Sequence, residues 1–125
     1  SGLGMAHGVA AALGVECGAP HGLACAMLLP VAVRVNMAAA EHDFAALERA
    51  VAADASPVDG EAAAAFAARI EALCDRAAVP RRLRDLGLAR NRLGWLAENS
   101  GGTSMRGNPV ELDPARLLPI LEAVF

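Results

Sequence analysis

Lysine is absent from the 125 residues, and apart from histidine every basic charge comes from 11 Lys+Arg positions that are all arginine. A skewed genome produces such a bias, so it carries no functional weight. Against 14 acidic residues the net charge is −3, which argues against a dedicated nucleic-acid binder, normally basic overall. Aromatic residues are scarce at 3%. The 55% apolar content is inflated by alanine, yet with so small a net charge it still excludes disorder. Cysteine is sparse: Cys17, Cys25 and Cys74 form an odd set with no Cys-x-x-Cys. That is no disulfide framework, and it fits a reducing, cytoplasmic setting. The longest uncharged run, Cys17 to Val33, is broken by Gly18, Pro20, His21, Gly22 and Pro30. A spanning helix wants about 20 predominantly apolar residues, so no membrane segment is expected. No basic leader precedes Glu16, the first charged residue, so no signal peptide is expected either.

The length suits one domain with a real core. Ser1-Gly2-Leu3-Gly4-Met5 leads straight into an apolar, alanine-rich segment without a polar leader or starting cap. The expectation is a single helical unit, residues 1–125, that forms the carboxy-terminal part of a longer polypeptide.

Strand signals are few, and helical periodicity is frequent. A first helix is expected over Gly4 to Val15, stopped by Gly18-Ala19-Pro20. A second runs from His21 to about Ala40, with Leu23, Met27, Leu28, Val31 and Val35 on nearly all sides, as in a buried helix. Pro30 inside it predicts a kink or break, since an interior proline costs about 3 kcal/mol. A third helix begins near Asp43, with Phe44, Leu47 and Val51 on its inner face. The fourth starts with Ser56 as cap, Pro57 in the first position and Asp59 completing a capping box. It carries Phe66, Ile70, Leu73 and Ala77 inward and ends at Val79-Pro80. A short turn, Arg81 to Leu86, stops at Gly87, and a further helix spans Arg90 to Glu98. A Gly/Ser/Thr-rich loop, Asn99 to Leu112, follows. Asp113-Pro114 caps a last helix that packs through Leu117, Leu118, Leu121 and Val124 and is distorted at Pro119. The expected fold is an all-α bundle without internal repeats.

Chemistry is thinly spread along the chain. His42, between Glu41 and Asp43, reads as a solvated side chain. His7 and His21 lie in apolar, glycine-rich surroundings, where a buried imidazole needs partners for its ring nitrogens. A metal ion is one such partner, and two unrelated hydrogen-bonded core histidines are the plainer alternative. Cys17, His21 and Cys25 are spaced by four, as zinc ligands on one helix would be. Gly18-Ala19-Pro20 interrupts that helix, so only His21 and Cys25 can be neighbours, and Cys25 reads best as a small core residue. No phosphate loop, GxGxxG or Walker pattern occurs. The cluster Arg76, Arg81, Arg82, Arg84, Arg90 and Arg92 reads as a solvated face, or else as a subunit or domain contact.

Gly2-Leu3-Gly4-Met5-Ala6-His7-Gly8, then Pro20-His21-Gly22-Leu23-Ala24-Cys25-Ala26-Met27-Leu28-Leu29-Pro30, is similar to the metal-site signature of the iron-containing, group III alcohol dehydrogenases. Asn36, Val79-Pro80 with Leu83 and Leu86-Gly87, and Asn108-Pro109 extend the resemblance over almost the whole chain. It implies the later part of a helical domain of the dehydroquinate synthase-like type. An upstream α/β domain, absent here, would bind NAD or NADP. The resemblance also implies one divalent metal, usually iron and sometimes zinc, held by an upstream aspartate and histidine together with His7 and His21.

The implied activity is that of an alcohol dehydrogenase or aldehyde reductase on a small substrate, with the metal as Lewis acid and the isolated segment inactive. The Gly101 to Pro109 loop is a candidate for part of the substrate entrance. One departure is Ala11, where many members carry a histidine near the nicotinamide. A non-catalytic helical interaction module and a maleylacetate reductase-like subgroup are the competing readings. The family is often dimeric or larger, so a homo-oligomer is a possible state.

Overall fold

Alanine and glycine fill the first forty residues, and small side chains let helix backbones approach closely. The computed structural model describes residues 4–125, so Ser1, Gly2 and Leu3 of the motif and of the expected start lie outside the described residues. Helix α1 spans Gly4–Cys17 and α2 spans His21–Val51. Helix α3 is Asp59–Arg76, α4 is Leu93–Asn99, α5 is a single turn at Thr103–Arg106, and α6 is Pro114–Ala123. Two 3-10 turns, Leu83–Leu86 and Arg90–Arg92, join α3 to α4. No strand occurs among the described residues, so the all-α expectation holds.

Helix α1 packs across α2 on one side and against α4 and α5 on the other, while α3 packs along α2 from Ala26 to Arg49. The core gathers Met5, Val9 and Leu13 of α1, Met27, Leu28 and Val31 of α2, Leu83, Leu93, Leu96, and Leu117 and Leu121 of α6. Each fully buried large apolar side chain contributes about 1.5–3 kcal/mol of transfer free energy. By length and composition alone α2 could cross a membrane. Here Met27, Leu28 and Val31 pack into this core, whereas Leu23 and Leu29 are exposed.

Three local expectations need correction. First, the chain does not break at Pro30; the element kinks at Ala40 (φ −122°, ψ 21°), where the expected second helix ends and the third begins. Proline removes the N–H that would have bonded the Ala26 carbonyl one turn back. The buried Cys74 thiol of α3 donates to that carbonyl at 3.6 Å, so the freed acceptor is satisfied and the helix continues. Helix α6 likewise runs through Pro119.

Second, α3 starts at Asp59, later than expected, and no side chain caps it. Ser56 forms a local turn instead, accepting from the Val58 N–H and donating to Glu61. Third, the inner faces of this pair are made of small residues. Ala45, Ala62 and Ala63 are fully buried, whereas Leu47, Val51 and Leu73 are exposed. Phe44 and Phe66 stack at the edge of the seam, 5.7 Å apart. Glu48, 2% exposed, takes three hydrogen bonds from Arg69. Those bonds hold its carboxyl below the usual carboxylate range.

Other expectations are met. Asp113 accepts from the Arg116 N–H at 2.8 Å and caps α6, with Pro114 at its first position. Gly87 is left-handed (φ 95°) and ends its turn, a conformation glycine adopts without steric cost. Most of the arginine cluster is solvated. Arg92, however, grips Glu16 of α1 with two hydrogen bonds of 2.6 and 2.9 Å.

The Asn99 to Leu112 segment, expected as loop, holds α5 and a buried amide pair. Asn36 and Asn108 exchange two hydrogen bonds of 2.8 Å. Asn108 also accepts from the Met5 N–H and donates to the Val110 carbonyl, while Asn36 accepts from the Val110 N–H.

Two stability predictions follow from these contacts. Asn108→Ala leaves buried groups on α1 and α2 without partners and lowers unfolding free energy by about 1–3 kcal/mol in a denaturant titration. The double substitution with Asn36→Ala costs less than the sum of the singles, because the two share one network. At the end of α3, Ala78 is left-handed (φ 57°) and its neighbours close a Schellman pattern, Val79 N–H to Cys74 and Ala78 N–H to Asp75. Ala78→Gly removes that strain and raises stability by about 0.5–1 kcal/mol, net of glycine's extra freedom in the unfolded chain.

Candidate metal centre

His7 projects from the first half of α1, and His21 is the first residue of α2, immediately after Pro20. The break at residues 18–20 folds the two helices back so that these side chains meet. Their rings are 4.7 Å apart, edge to face. Cys25 lies one turn along α2 from His21, on the same face, as i and i+4 require. Its Sγ is 3.5 Å from His21 Nε2 and 3.8 Å from His7 Nδ1. The three potential donor atoms all lie within 4.8 Å of one another.

The cluster sits at the rim of the bundle: His7 and Cys25 are partly buried and His21 is exposed. His21 therefore is not the buried core imidazole that its apolar surroundings suggested. Burial pushes the Cys25 thiol up, so without a metal it is protonated and can donate its S–H to an imidazole nitrogen. Two imidazoles and a thiol form a donor set suited to zinc and to other borderline divalent ions. Imidazole alone also suits iron.

The remaining candidates fall elsewhere. Cys17 donates its thiol to the Leu13 carbonyl at 3.3 Å and stays outside the cluster. His42 is solvated and pairs with Asp59 at 2.9 Å. That hydrogen bond, and then the charge of Asp59, raises its pKa. The pair's contribution is therefore present below the ordinary histidine pKa, where Asp59 is still ionised, and fades as pH rises through the raised value. Ala11, one turn beyond His7, is exposed and carries no titratable group. The four-residue spacing makes Cys25 a neighbour of His21 at the sequence level, where it reads best as a core residue; the structure places its sulfur beside both imidazoles.

A cavity of about 590 Å³ opens along the Gly101 to Asp113 segment and is lined by Met105, Arg106, Asn108 and Glu111 among others. None of His7, His21 or Cys25 lines it. The segment's visible work is support: Met105 packs beneath Gly8, and Ser100 presents its carbonyl to the same glycine.

Comparison with known proteins gives the class. The family model described as "Fe-containing alcohol dehydrogenase family, C-terminal" matches residues 1–125. The chain belongs to that family. Among solved structures it is similar to one described as "Crystal structure analysis of 1,3-propanediol oxidoreductase", with 29% identity and a TM-score of 0.88. It is also similar to an alcohol dehydrogenase from Oenococcus oeni, with 27% identity and a TM-score of 0.86. Each match covers 98% of this chain and 32% of the other, so the chain spans about a third of the length of these relatives. A search of curated protein sequences finds no significant match.

The position of His7 depends on how closely α1 sits on the α4–α5 connection. A Cβ at position 8 would stand 2.7 Å from the Ser100 carbonyl oxygen, a backbone atom. Gly8→Ala therefore pushes α1 outward and lowers stability by about 1–3 kcal/mol in thermal or denaturant unfolding.

Proposed function

We propose that this chain is the metal-holding helical part of an NAD(P)-dependent alcohol dehydrogenase or aldehyde reductase. The observation that carries the reading is the convergence of His7 and His21 from two different helices, with a thiol between them. Family membership and the oxidoreductase relatives support it.

A divalent ion bound there, Fe2+ or Zn2+, supplies Lewis-acid polarisation of the oxygen of a small alcohol or carbonyl substrate. His21 presents its ring from the first turn of α2, where Pro20 fixes the incoming backbone. His7 is held by a helix whose other faces are buried at Met5, Val9 and Leu13. Two rings on rigid elements give the fixed geometry a metal ligand requires. The exposure of His21 would leave an ion held there accessible to further ligands and to substrate.

Those further ligands, an aspartate and a histidine, belong to sequence upstream of this segment. The nucleotide falls to an upstream domain as well, because an all-helical chain has no strand-to-helix glycine turn to cradle a pyrophosphate. Position 11 supplies no imidazole, so this segment offers no proton relay one turn from His7. The three free cysteines fit a cytoplasmic protein.

The test is made on the full-length protein. Wild type is expected to purify with about one divalent ion per chain and to reduce aldehydes with NADH or NADPH. His7→Ala and His21→Ala are expected to lose most of the metal, by elemental analysis, and at least about 100-fold in kcat/KM, given the several kcal/mol a Lewis acid supplies. The 125-residue segment alone is expected to be inactive. Metal-free wild type that remains active would replace this reading by a maleylacetate reductase-like one. Metal-free, inactive wild type would favour a helical interaction module.

A further inference from the structure

Cys25 packs against the edge of the core, but neither that packing nor the two-histidine ligand set accounts for where its sulfur points. It is only partly buried, and its sulfur points at both imidazoles. A thiol can donate its one proton to one ring and accept only weakly from an N–H of the other, so hydrogen bonding alone gives one ordinary contact and one weak one. A tetrahedral ion with ordinary zinc–nitrogen and zinc–sulfur bond lengths holds nitrogen and sulfur about 3.6 Å apart. The observed separations of 3.5 and 3.8 Å bracket that value, so one ion accommodates both contacts.

Helix geometry supplies the rest. His21 and Cys25 sit one turn apart on α2, so the backbone fixes their relation before any ion binds. Neither Cys17 nor Cys74 competes, since each thiol is committed to a backbone carbonyl, of Leu13 and Ala26 respectively.

We propose that Cys25 Sγ is a metal donor in this protein, closing a His7, His21, Cys25 face on the bound ion. The inference rests on the metal-centre reading above. On binding, the S–H bond is replaced by a sulfur–metal bond and the proton passes to solvent. A thiolate adds negative charge to a face otherwise made of neutral imidazoles, and it tilts the centre toward thiophilic ions such as Zn2+ and Co2+.

The experiment is a Co2+ titration of the metal-stripped full-length protein, followed by absorption spectroscopy. Wild type is expected to develop a near-ultraviolet sulfur-to-cobalt charge-transfer band that saturates at one equivalent. Cys25→Ala loses the band, and Cys17→Ala keeps it. A wild-type protein that binds cobalt without that band, or a Cys25→Ala protein that retains it, overturns the inference and leaves the metal centre standing. Wild type that binds neither Co2+ nor Zn2+ removes the metal centre itself.

Should Cys25→Ala fail to fold, alkylation of wild type decides. Saturating Zn2+ is expected to slow iodoacetamide labelling of Cys25 by at least about tenfold, since a metal-bound thiolate is withdrawn from attack. Labelling of Cys25 that zinc leaves unchanged counts against the donor role.

Discussion

Two buried carboxamides, Asn36 and Asn108, set the frame on which everything else is hung. Each satisfies the other, and together they also bind the first turn of α1 and the backbone at Val110. The network joins three segments that are remote in sequence, and no polar side-chain atom within it is left unpaired among the described residues. A fully satisfied buried network of this kind tolerates one arrangement only, because any slip of α1 along α2 strands a donor in apolar surroundings. Apolar packing between alanine-rich faces would be permissive by comparison: one alanine methyl is much like the next. The amides supply the register that the alanines cannot.

That register is what brings two imidazoles together. Met5, whose N–H is bound by Asn108, stands two residues before His7. Fixing it fixes the rotation of α1 and so the direction of His7. At the far end of the same helix Glu16 is gripped by Arg92, and between these points Gly8 rests on the Ser100 carbonyl. The helix is thus held along its length by groups that do no chemistry. The donor cluster lies beside this frame, at the rim, where His21 is exposed.

Much of this was legible in the sequence, and the failures share a cause. Asp113-Pro114 and Gly87 were readable because a cap and a left-handed turn are decided by local stereochemistry. The pair His7 and His21 was visible only through resemblance, since fourteen residues and an intervening break carry no spacing rule. Pro30 misled because the donor that satisfies the freed Ala26 carbonyl is the Cys74 thiol, 48 positions away. Phe44, Leu47 and Val51 misled because periodicity weights large residues, while α2 and α3 meet through Ala45, Ala62 and Ala63. Small residues win that seam because they let two backbones approach. The large ones are displaced to its edges, where Phe44 and Phe66 stack. Cys25 was assigned to the core because cysteine usually is a small hydrophobe, a rule about composition that cannot see a second helix arriving with His7.

The same division bears on the proposed metal centre, whose side chains stand near helix starts and at the rim. A divalent ion taken into the core would need its charge compensated there, and burying unpaired charge costs several kcal/mol. Among the described residues the donor cluster contains no carboxylate. Two neutral imidazoles would leave the charge of the proposed ion almost intact, which would favour polarising an oxygen but would demand an environment that tolerates cationic charge. An exposed rim meets that demand: solvent and later-arriving anionic ligands can reach the outward side, while the inward side is shaped by helices locked in register. A thiolate from Cys25 would offset part of the charge from within the chain itself. The stability of the bundle and the reactivity of its edge can then be tuned by different residues.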